Sequence, residues 1–194
     1  MTAIHVGKLP AAKLRAGTRL HRIHQARFGP WFFDGSSSGR FNPTGTPARG
    51  TCYWAESPLG AWVESFRTVM TWSTGDIAAR ALSTIRLEAD LRVCDLTVKK
   101  ALRAGVTVSI TGGDDYAAPQ ALADHLQPNF AGVRYRVRHD LSAELVAIGW
   151  FGDEGAAAGA ALASLPTAST APIDDELIDE AGREFGYRVL PLPP

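Results

Sequence analysis

Apolar and polar residues alternate along several segments of the chain, a pattern that is typical of strands with one buried face. The first such segment is residues 18–24, where Leu20, Arg22 and His24 would share a face. The same reasoning predicts further strands at 50–55, 82–87, 91–95, 106–110, 132–138, 144–151 and 187–190. Residues 139–142 would form a hairpin-like connection between two of these strands.

Helical spacing of apolar residues predicts helices among the strands. The clearest one begins at Ser57-Pro58, because serine can cap free backbone N–H groups and proline fits the first helical position. Its apolar stripe comprises Leu59, Trp62, Val63, Phe66, Val69 and Met70. Further helices are predicted at 97–104, 116–126 and 174–185. Helices and strands are mixed rather than strictly alternating, which favours an α+β fold over a doubly wound parallel sheet.

Two segments show neither the alternation of a strand nor the spacing of a helix. Residues 28–50 are rich in glycine, proline and serine and predict a long loop, and long loops in compact domains are usually functional. Residues 152–172 consist largely of glycine, alanine, serine, threonine and proline, and predict a flexible surface segment.

Length and composition indicate one globular domain. The 194 residues are 45% hydrophobic and 21% charged, and 20 basic residues balance 20 acidic ones. A balanced charge gives no field that draws the whole molecule to nucleic acid or membrane, so any bound anion must be held by local arginines. No segment approaches the ~20 apolar residues of a membrane span, and none resembles a signal peptide. We therefore expect a cytoplasmic protein in which Cys52 and Cys94 pack as small hydrophobes.

Common catalytic motifs are absent from the sequence. There is no G-x-G-x-x-G after a strand, no P-loop, no G-x-S-x-G and no H-E-x-x-H. His21 and His24 would point to opposite faces of one strand, so they cannot share a metal ion. We therefore expect no metal cofactor.

Arginine side chains in the first third of the chain are candidates for anion binding. Arg22 could hold an anionic group with His24 beside it, or both could lie on a solvated face. Arg40 follows Gly39 and precedes a proline-fixed turn, and its guanidinium suits phosphate oxygens. An arginine in a polar surface loop is also common without any function.

Glu64 is a candidate acid. It lies opposite the apolar stripe of its helix, so it is either solvated or lines a cleft between the helix and another layer. Gly60, one turn earlier on nearly the same face, would leave room for a ligand. Glu56 is the competing acid, unless it merely neighbours the helix cap.

Several short motifs resemble the RES domain family. Its members show G-R-[WF]-N-P, then Y-x-A-E-S-P, then A-x-x-E, and this chain has G-R-F-N-P at 39–43, Y-W-A-E-S-P at 53–58 and A-W-V-E at 61–64. Residues 20–23 resemble the family's opening L-x-R-[IV] strand, and residues 120–123 and 132–140 resemble its later helix and strand. The similarity extends over residues 18–151.

The resemblance implies a fold and an activity. RES proteins are toxins of bacterial toxin–antitoxin pairs with a fold similar to ADP-ribosyltransferases, a mixed sheet flanked by helices. They consume NAD+ as a substrate, by phosphorolysis or hydrolysis, or ADP-ribosylate a protein. The resemblance makes Arg40 and Glu64 the catalytic residues and places Arg22 and Tyr53 in the NAD+ pocket, with His24 beside Arg22. A catalytically silent binding module is the alternative outside the enzymes.

Val137 stands where the family carries a serine that contacts NAD+. Three interpretations stay open: Ser142 supplies the hydroxyl, NAD+ binds differently, or the enzyme is weakened.

The resemblance also implies a partner, a helix-turn-helix (Xre-type) antitoxin whose tail covers the active-site cleft. Residues 152–172 could belong to that interface or form a plain solvent loop. Direct binding to nucleic acid or membrane is not expected, and assembly into a homo-oligomer stays open.

Overall fold

The computed structural model describes residues 4–192. Within this range the chain forms one mixed sheet of eight strands in the order β1-β7-β8-β9-β4-β2-β6-β11. These strands are β1 (Ala11–Leu14), β2 (Arg19–Gln25), β4 (Arg49–Ala55), β6 (Arg80–Arg86), β7 (Leu91–Asp95), β8 (Gly132–Arg136), β9 (Val146–Asp153) and β11 (Ala168–Pro172). Strands β7 and β8 are parallel, whereas the other neighbours are antiparallel.

Short strand pairs and helices surround this sheet. Strand β3 (Phe32–Phe33) pairs with β10 (Gly155–Ala156), and β5 (Thr71–Ser73) pairs with β12 (Arg188–Leu190). The helices are α1 (Pro58–Phe66), α2 (Thr74–Ala78), α3 (Lys99–Arg103), α4 (Val108–Gly112), α5 (Ala117–Leu126), α6 (Gly159–Ala163) and α7 (Asp175–Phe185), and a 3-10 turn covers Val6–Lys8. The predicted α+β class is confirmed.

The core lies on both faces of the sheet. Adjacent residues of one strand belong to different apolar clusters, because neighbouring side chains point to opposite faces. The larger cluster packs the sheet against helices and includes Ile23, Ala55, Trp62, Val63, Phe66 and Leu126. The smaller cluster covers the other face and includes Leu20, Trp31, Phe33, Trp54, Ile85 and Ile148. Both cysteines are buried and free, Cys52 in the smaller cluster and Cys94 in the larger.

Helix α1 begins where the sequence predicts. Ser57 accepts a hydrogen bond from the Gly60 backbone N–H at 3.0 Å, and Pro58 occupies the first turn. The helix ends earlier than the predicted stripe, because Arg67 adopts a φ of 51°. Val69 and Met70 therefore lie beyond the helix and are exposed.

The strand prediction at 106–110 is wrong. Residues 108–112 form helix α4, in which Val108 is 81% exposed and Ile110 is buried. Strand β7, which the segment follows, already pairs with β1 on one side and β8 on the other. No free edge remains beside β7, so tertiary context overrides the β-branched composition.

The prediction of a flexible segment at 152–172 is also wrong. The segment contains β10, α6 and β11, and β11 forms an edge strand of the main sheet along β6. Side chains help to fix it, since Thr170 Oγ1 and Ser83 Oγ lie 2.7 Å apart and the Trp31 indole donates to the Pro166 carbonyl. Small residues carry little local preference, so these contacts decide the structure.

Candidate active-site cleft

The cleft opens where two neighbouring strands of the main sheet separate. Strands β2 and β4 pair only at His21 and Ala55, and helix α1 lies over the gap. The Ser65 hydroxyl donates to the Ile23 carbonyl at 3.0 Å and ties α1 to β2. The result is a cavity of about 440 Å³, which we call the outer chamber; its lining includes His21, Arg22, Ile23, Glu64, Trp72 and Arg80.

A smaller cavity adjoins the outer chamber. This inner chamber, about 40 Å³, is lined by Gly39, Arg40, Tyr116, Tyr135, Arg138 and His139. Tyr53, Glu64 and Arg67 line both chambers, so the two form one cleft with these residues at the junction. The cleft therefore brings Glu64 together with Arg22 on one side and Arg40 on the other.

Glu64 is half-buried at the junction. Burial raises the pKa of its carboxyl above the ordinary value, and the charge of Arg67, a polar interaction with Tyr135 and the charge of Arg40 offset this only in part. Of the two interpretations from the helical wheel, the structure supports the one in which Glu64 lines a cleft. A carboxylate held beside guanidinium groups can stabilise positive charge that develops on a bound sugar.

The expectation for Gly60 is wrong. A Cβ atom at this position would lie 3.1 Å from the Ala55 Cβ and 3.2 Å from the Ser57 Oγ. The glycine therefore lets α1 pack closely on β4, and it lines neither chamber.

Arg40 is a buried cation whose terminal nitrogens make no hydrogen bond within the described part of the chain. The residue is 7% exposed, and Nη1 and Nη2 have no hydrogen-bond partner within residues 4–192. Its guanidinium carbon lies 4.5 Å from the centroid of the Tyr116 ring, and burial lowers its pKa. A buried charge without hydrogen bonds is unfavourable, so the group is suited to an anion that enters the chamber.

The loop that carries Arg40 is held by the buried side chain of Asn42. Its Nδ2 donates to Asp34 Oδ2 at 3.0 Å and to the Ser36 carbonyl at 2.8 Å. Its Oδ1 accepts a hydrogen bond from the Tyr53 hydroxyl at 2.8 Å. A Cβ atom at Gly39 would lie 2.3 Å from Asn42 Oδ1, which explains why glycine precedes Arg40.

A helix also holds this loop. Gln120 of α5 donates from Nε2 to the carbonyls of Ser37 and Gly39, each at 2.9 Å. The loop on either side of Arg40 is thus held by Asn42 and Gln120, and the Arg40 guanidinium lies against the Tyr116 ring.

Tyr53 lies at the junction of the chambers, and its hydroxyl is already engaged. It donates to Asn42 and accepts from the Phe41 backbone N–H at 2.9 Å. Burial raises its pKa. The hydroxyl therefore supports the Arg40 loop, and only the ring of Tyr53 is available to a ligand.

Arg22 lies in the gap between β2 and β4. Its Nη1 donates to the Tyr53 carbonyl at 2.9 Å, and its buried Nε has no partner within residues 4–192. Its hydrogen bond to Tyr53 replaces the backbone pairing that β2 and β4 lack at this point. The Arg22 side chain also lines the outer chamber.

His24 and Val137 do not reach the cleft. His24 is buried beside β6, with Nε2 2.8 Å from Ser83 Oγ and Nδ1 3.0 Å from the Gln25 carbonyl. Val137 is 2% exposed within the larger apolar cluster. The expectation that these two residues lie in one pocket with Arg22 and Tyr53 is wrong, because His24 faces the opposite side of the sheet from α1 and Val137 points into the core.

The two residues left open as alternatives are also engaged elsewhere. Glu56 accepts hydrogen bonds from Arg134 at 2.6 and 3.0 Å, and Ser142 bonds to Asp140. Neither lines the cleft.

Sequence reasoning missed five residues of the inner chamber: Arg67, Tyr116, Tyr135, Arg138 and His139. Burial lowers the pKa of His139, and Arg138, Arg67 and Arg40 lower it further. Alternation along β8 already placed Tyr135 on one face of the sheet. What the pattern lacks is any sign that this face meets the loop of Arg40.

Within residues 4–192, no group of three or more His, Cys, Asp or Glu side chains is arranged to hold a metal ion. Among the helices of this range, none has the length and apolar character that crossing a bilayer requires.

The protein thus has an α+β fold. Two strands of its main sheet, β2 and β4, separate to form a cleft in which Glu64 lies between Arg22 and Arg40. The sequence matches the RES domain family over residues 19–170, which is most of the chain, and the chain therefore belongs to that family. No individually curated protein is similar enough in sequence to give a significant match.

A solved structure has the same fold. It is a chain of the crystal structure of the M. tuberculosis MbcT–MbcA toxin–antitoxin complex, with a TM-score of 0.64 and 20% sequence identity. The alignment covers 87% of this chain and 90% of the other.

Proposed function

We propose that this chain is the toxin of a toxin–antitoxin pair and that it cleaves the nicotinamide–ribose bond of NAD+, with phosphate or water as acceptor. The observation that carries the proposal is the position of Glu64, between the unpartnered guanidinium of Arg40 and the chamber that contains Arg22. Membership of the RES family and the fold shared with a chain of a toxin–antitoxin complex support it.

The chemistry suits the residue types. Loss of nicotinamide leaves positive charge on the ribose, and a nearby carboxylate stabilises this charge and holds the ribose hydroxyls. Glu64 is the carboxylate at the junction of the chambers, and nicotinamide departs as a neutral molecule. In this proposal Glu64 is the catalytic carboxylate, and phosphate or water attacks the ribose carbon that nicotinamide leaves.

The arginines orient the substrate. Arg22 and Arg40 lie on either side of Glu64, and guanidinium groups bind phosphate oxygens through paired hydrogen bonds. Fixing the pyrophosphate would hold the ribose against Glu64, so that binding energy contributes to the rate. Arg40 thereby has both a binding and a catalytic role.

Product analysis tests the proposal. Purified protein is incubated with NAD+, with and without inorganic phosphate and without any protein acceptor, and the products are separated by chromatography. We expect free nicotinamide, together with phosphorylated ADP-ribose when phosphate is the acceptor or ADP-ribose when water is. Absence of nicotinamide under both conditions would contradict the proposal. Release that requires an added protein would instead indicate a mono-ADP-ribosyltransferase.

One observation favours a second candidate, an NAD+-binding or partner-binding module with weak activity. At the position of the family's serine the chain has Val137, which is buried in the core and offers no hydroxyl to the cleft. Calorimetry separates the two candidates: NAD+ binding without turnover favours the module, whereas binding with nicotinamide release favours the enzyme.

We also propose a partner, a helix-turn-helix antitoxin whose tail covers the cleft, in the cytoplasm. The support is the family and the toxin–antitoxin complex that shares the fold. If the partner covers the cleft, the purified complex releases nicotinamide more slowly than the free chain. An equally active complex would place the partner elsewhere.

A further inference from the structure

The far end of the outer chamber holds an arginine that the proposed chemistry does not use. Arg80 begins β6 and lines the same chamber as Glu64 and Arg22. Its guanidinium carbon lies 5.1 Å from the centroid of the Phe66 ring and 5.3 Å from that of Trp72. None of the salt bridges within residues 4–192 involves Arg80. The side chain is therefore positioned by two aromatic rings. The Asp76 carboxylate lies near enough for the charge of Arg80 to help lower its pKa, without forming a salt bridge.

Strand register sets the backbone distance between Arg80 and the point where β2 meets β4. That point is the pair His21–Ala55, two residues along β4 from Tyr53 of the junction, and Gln25 of β2 lies opposite Arg80. Four residues of strand span roughly 13 Å. This separation suits the two halves of a dinucleotide that is joined by a pyrophosphate, with one ribose at Glu64 and the other half toward Arg80.

The sizes of the chambers determine the direction in which a dinucleotide lies. The inner chamber, at about 40 Å³, is too small for a nucleotide half, although a few phosphate oxygens could reach Arg40 from the junction. The outer chamber is about 440 Å³, so a nucleotide half fits only there. A dinucleotide with one ribose at Glu64 would pass Arg22 along this chamber, and its adenylate half would then come next to Arg80.

We infer that Arg80 binds the adenylate half of the dinucleotide, at its phosphate, and so makes the cleft selective for dinucleotides over mononucleotides. This inference rests on the proposed function. It assigns Arg80 a role in specificity, and Glu64 keeps the chemistry. A planar guanidinium fixed on aromatic rings loses little conformational freedom when it binds phosphate.

Comparing two substrates tests the inference. Arg80→Ala and wild type are assayed with NAD+ and with nicotinamide mononucleotide, which lacks the adenylate half. We expect the variant to raise KM for NAD+ at least about tenfold, the effect of one charge-assisted hydrogen bond. We expect kcat for NAD+, and both constants for the mononucleotide, to stay near wild type. Arg80→Lys should recover part of the loss.

Arg92→Ala is the matched control. Its guanidinium carbon lies 4.5 Å from the centroid of the Phe130 ring, so it removes a similar cation–aromatic pair outside the cleft. We expect this variant to keep wild-type KM for both substrates. Thermal unfolding of each variant shows whether a change in KM reflects loss of folding.

Two results overturn the inference: equal losses on both substrates, or no change in KM for NAD+. If the wild type does not cleave the mononucleotide, adenosine monophosphate serves as a competitive inhibitor, and its inhibition constant should rise at least about tenfold in Arg80→Ala. Equal inhibition of both proteins counts against Arg80. If the wild type releases no nicotinamide at all, the proposed function fails instead, and calorimetric binding of adenosine monophosphate to the two proteins still decides the role of Arg80.

Discussion

Two partly buried clusters in this protein combine arginine with glutamate, and they differ in how the charges are compensated. In the first, which we call the frame cluster, Arg134 donates to Glu56 at 2.6 and 3.0 Å, to Asp95 at 3.2 Å and to Thr97 at 2.9 Å. In the cleft, Nη1 and Nη2 of Arg40 have no hydrogen-bond partner within residues 4–192. The same residue types thus serve two different purposes.

The pKa values follow this difference. Hydrogen bonds to Glu56 raise the pKa of Arg134, whereas burial lowers that of Arg40 and raises that of Glu64. Charges that are compensated within the chain hold the sheet and the α1 connection together. Charges that are buried without compensation reduce stability, and such groups are typical of functional sites. The cleft and the frame cluster therefore differ in whether hydrogen bonds within residues 4–192 compensate their charges, and not in the residue types that they contain.

The largest expected effect comes from the two glutamates. We expect Glu64→Gln to lower kcat for NAD+ at least about 100-fold, a loss of at least ~3 kcal/mol of transition-state stabilisation, because the amide cannot compensate positive charge on the ribose. Glu56→Gln should keep kcat and lose stability. Nicotinamide release and thermal unfolding, measured on both variants, check this. A Glu64→Gln enzyme with near wild-type turnover would remove Glu64 from the chemistry.

The next largest effect is on the free energy of unfolding, and it distinguishes Arg134 from Arg40. Arg134→Met leaves Glu56 and Asp95 without their cation, and we expect it to lower the free energy of unfolding by about 2 kcal/mol, between the values for exposed and fully buried pairs. Arg40→Met removes an uncompensated charge and should leave stability unchanged or higher, while KM for NAD+ rises. Urea unfolding provides the measurement. Equal destabilisation by both variants would mean that Arg40 also belongs to the frame.

Much of this comparison could be predicted from the sequence, but not all of it. The strand at 18–24, the start of α1 at Ser57 and the grouping of Arg22, Tyr53 and Glu64 follow from period, capping and family motifs. Glu56 and Glu64 could not be separated in this way. The partner of Glu56 is Arg134, which lies on a distant strand.

The errors have the same origin. A period of two correctly put Arg22 and His24 on one face, yet it could not show that only Arg22 reaches the gap between β2 and β4. For Gly60, the helical wheel gave a direction but not the strand packed against it. Arg80, Tyr116 and Tyr135 come from three separate elements, so only the folded chain brings them to the cleft.

The smallest expected effect is the pH dependence of Glu64. Burial raises its pKa in the folded state, so the proton is bound more tightly there than in the unfolded chain. The stability that this gives is present below the unfolded pKa of about 4.3 and is lost as pH rises through the folded pKa. Glu64→Gln should therefore be more stable than wild type at neutral pH, and the difference should close as pH falls toward about 4.

Activity should change in the opposite sense, since the carboxylate is the active form. The kcat/KM for NAD+, which reports groups of the free enzyme, should begin to fall at a higher pH than the ordinary pKa of glutamate would give. Thermal unfolding of both proteins and kcat/KM of the wild type, followed over the same pH range, test the two trends together. A stability difference that does not vary with pH would show that Glu64 is solvated like the charges of an open surface.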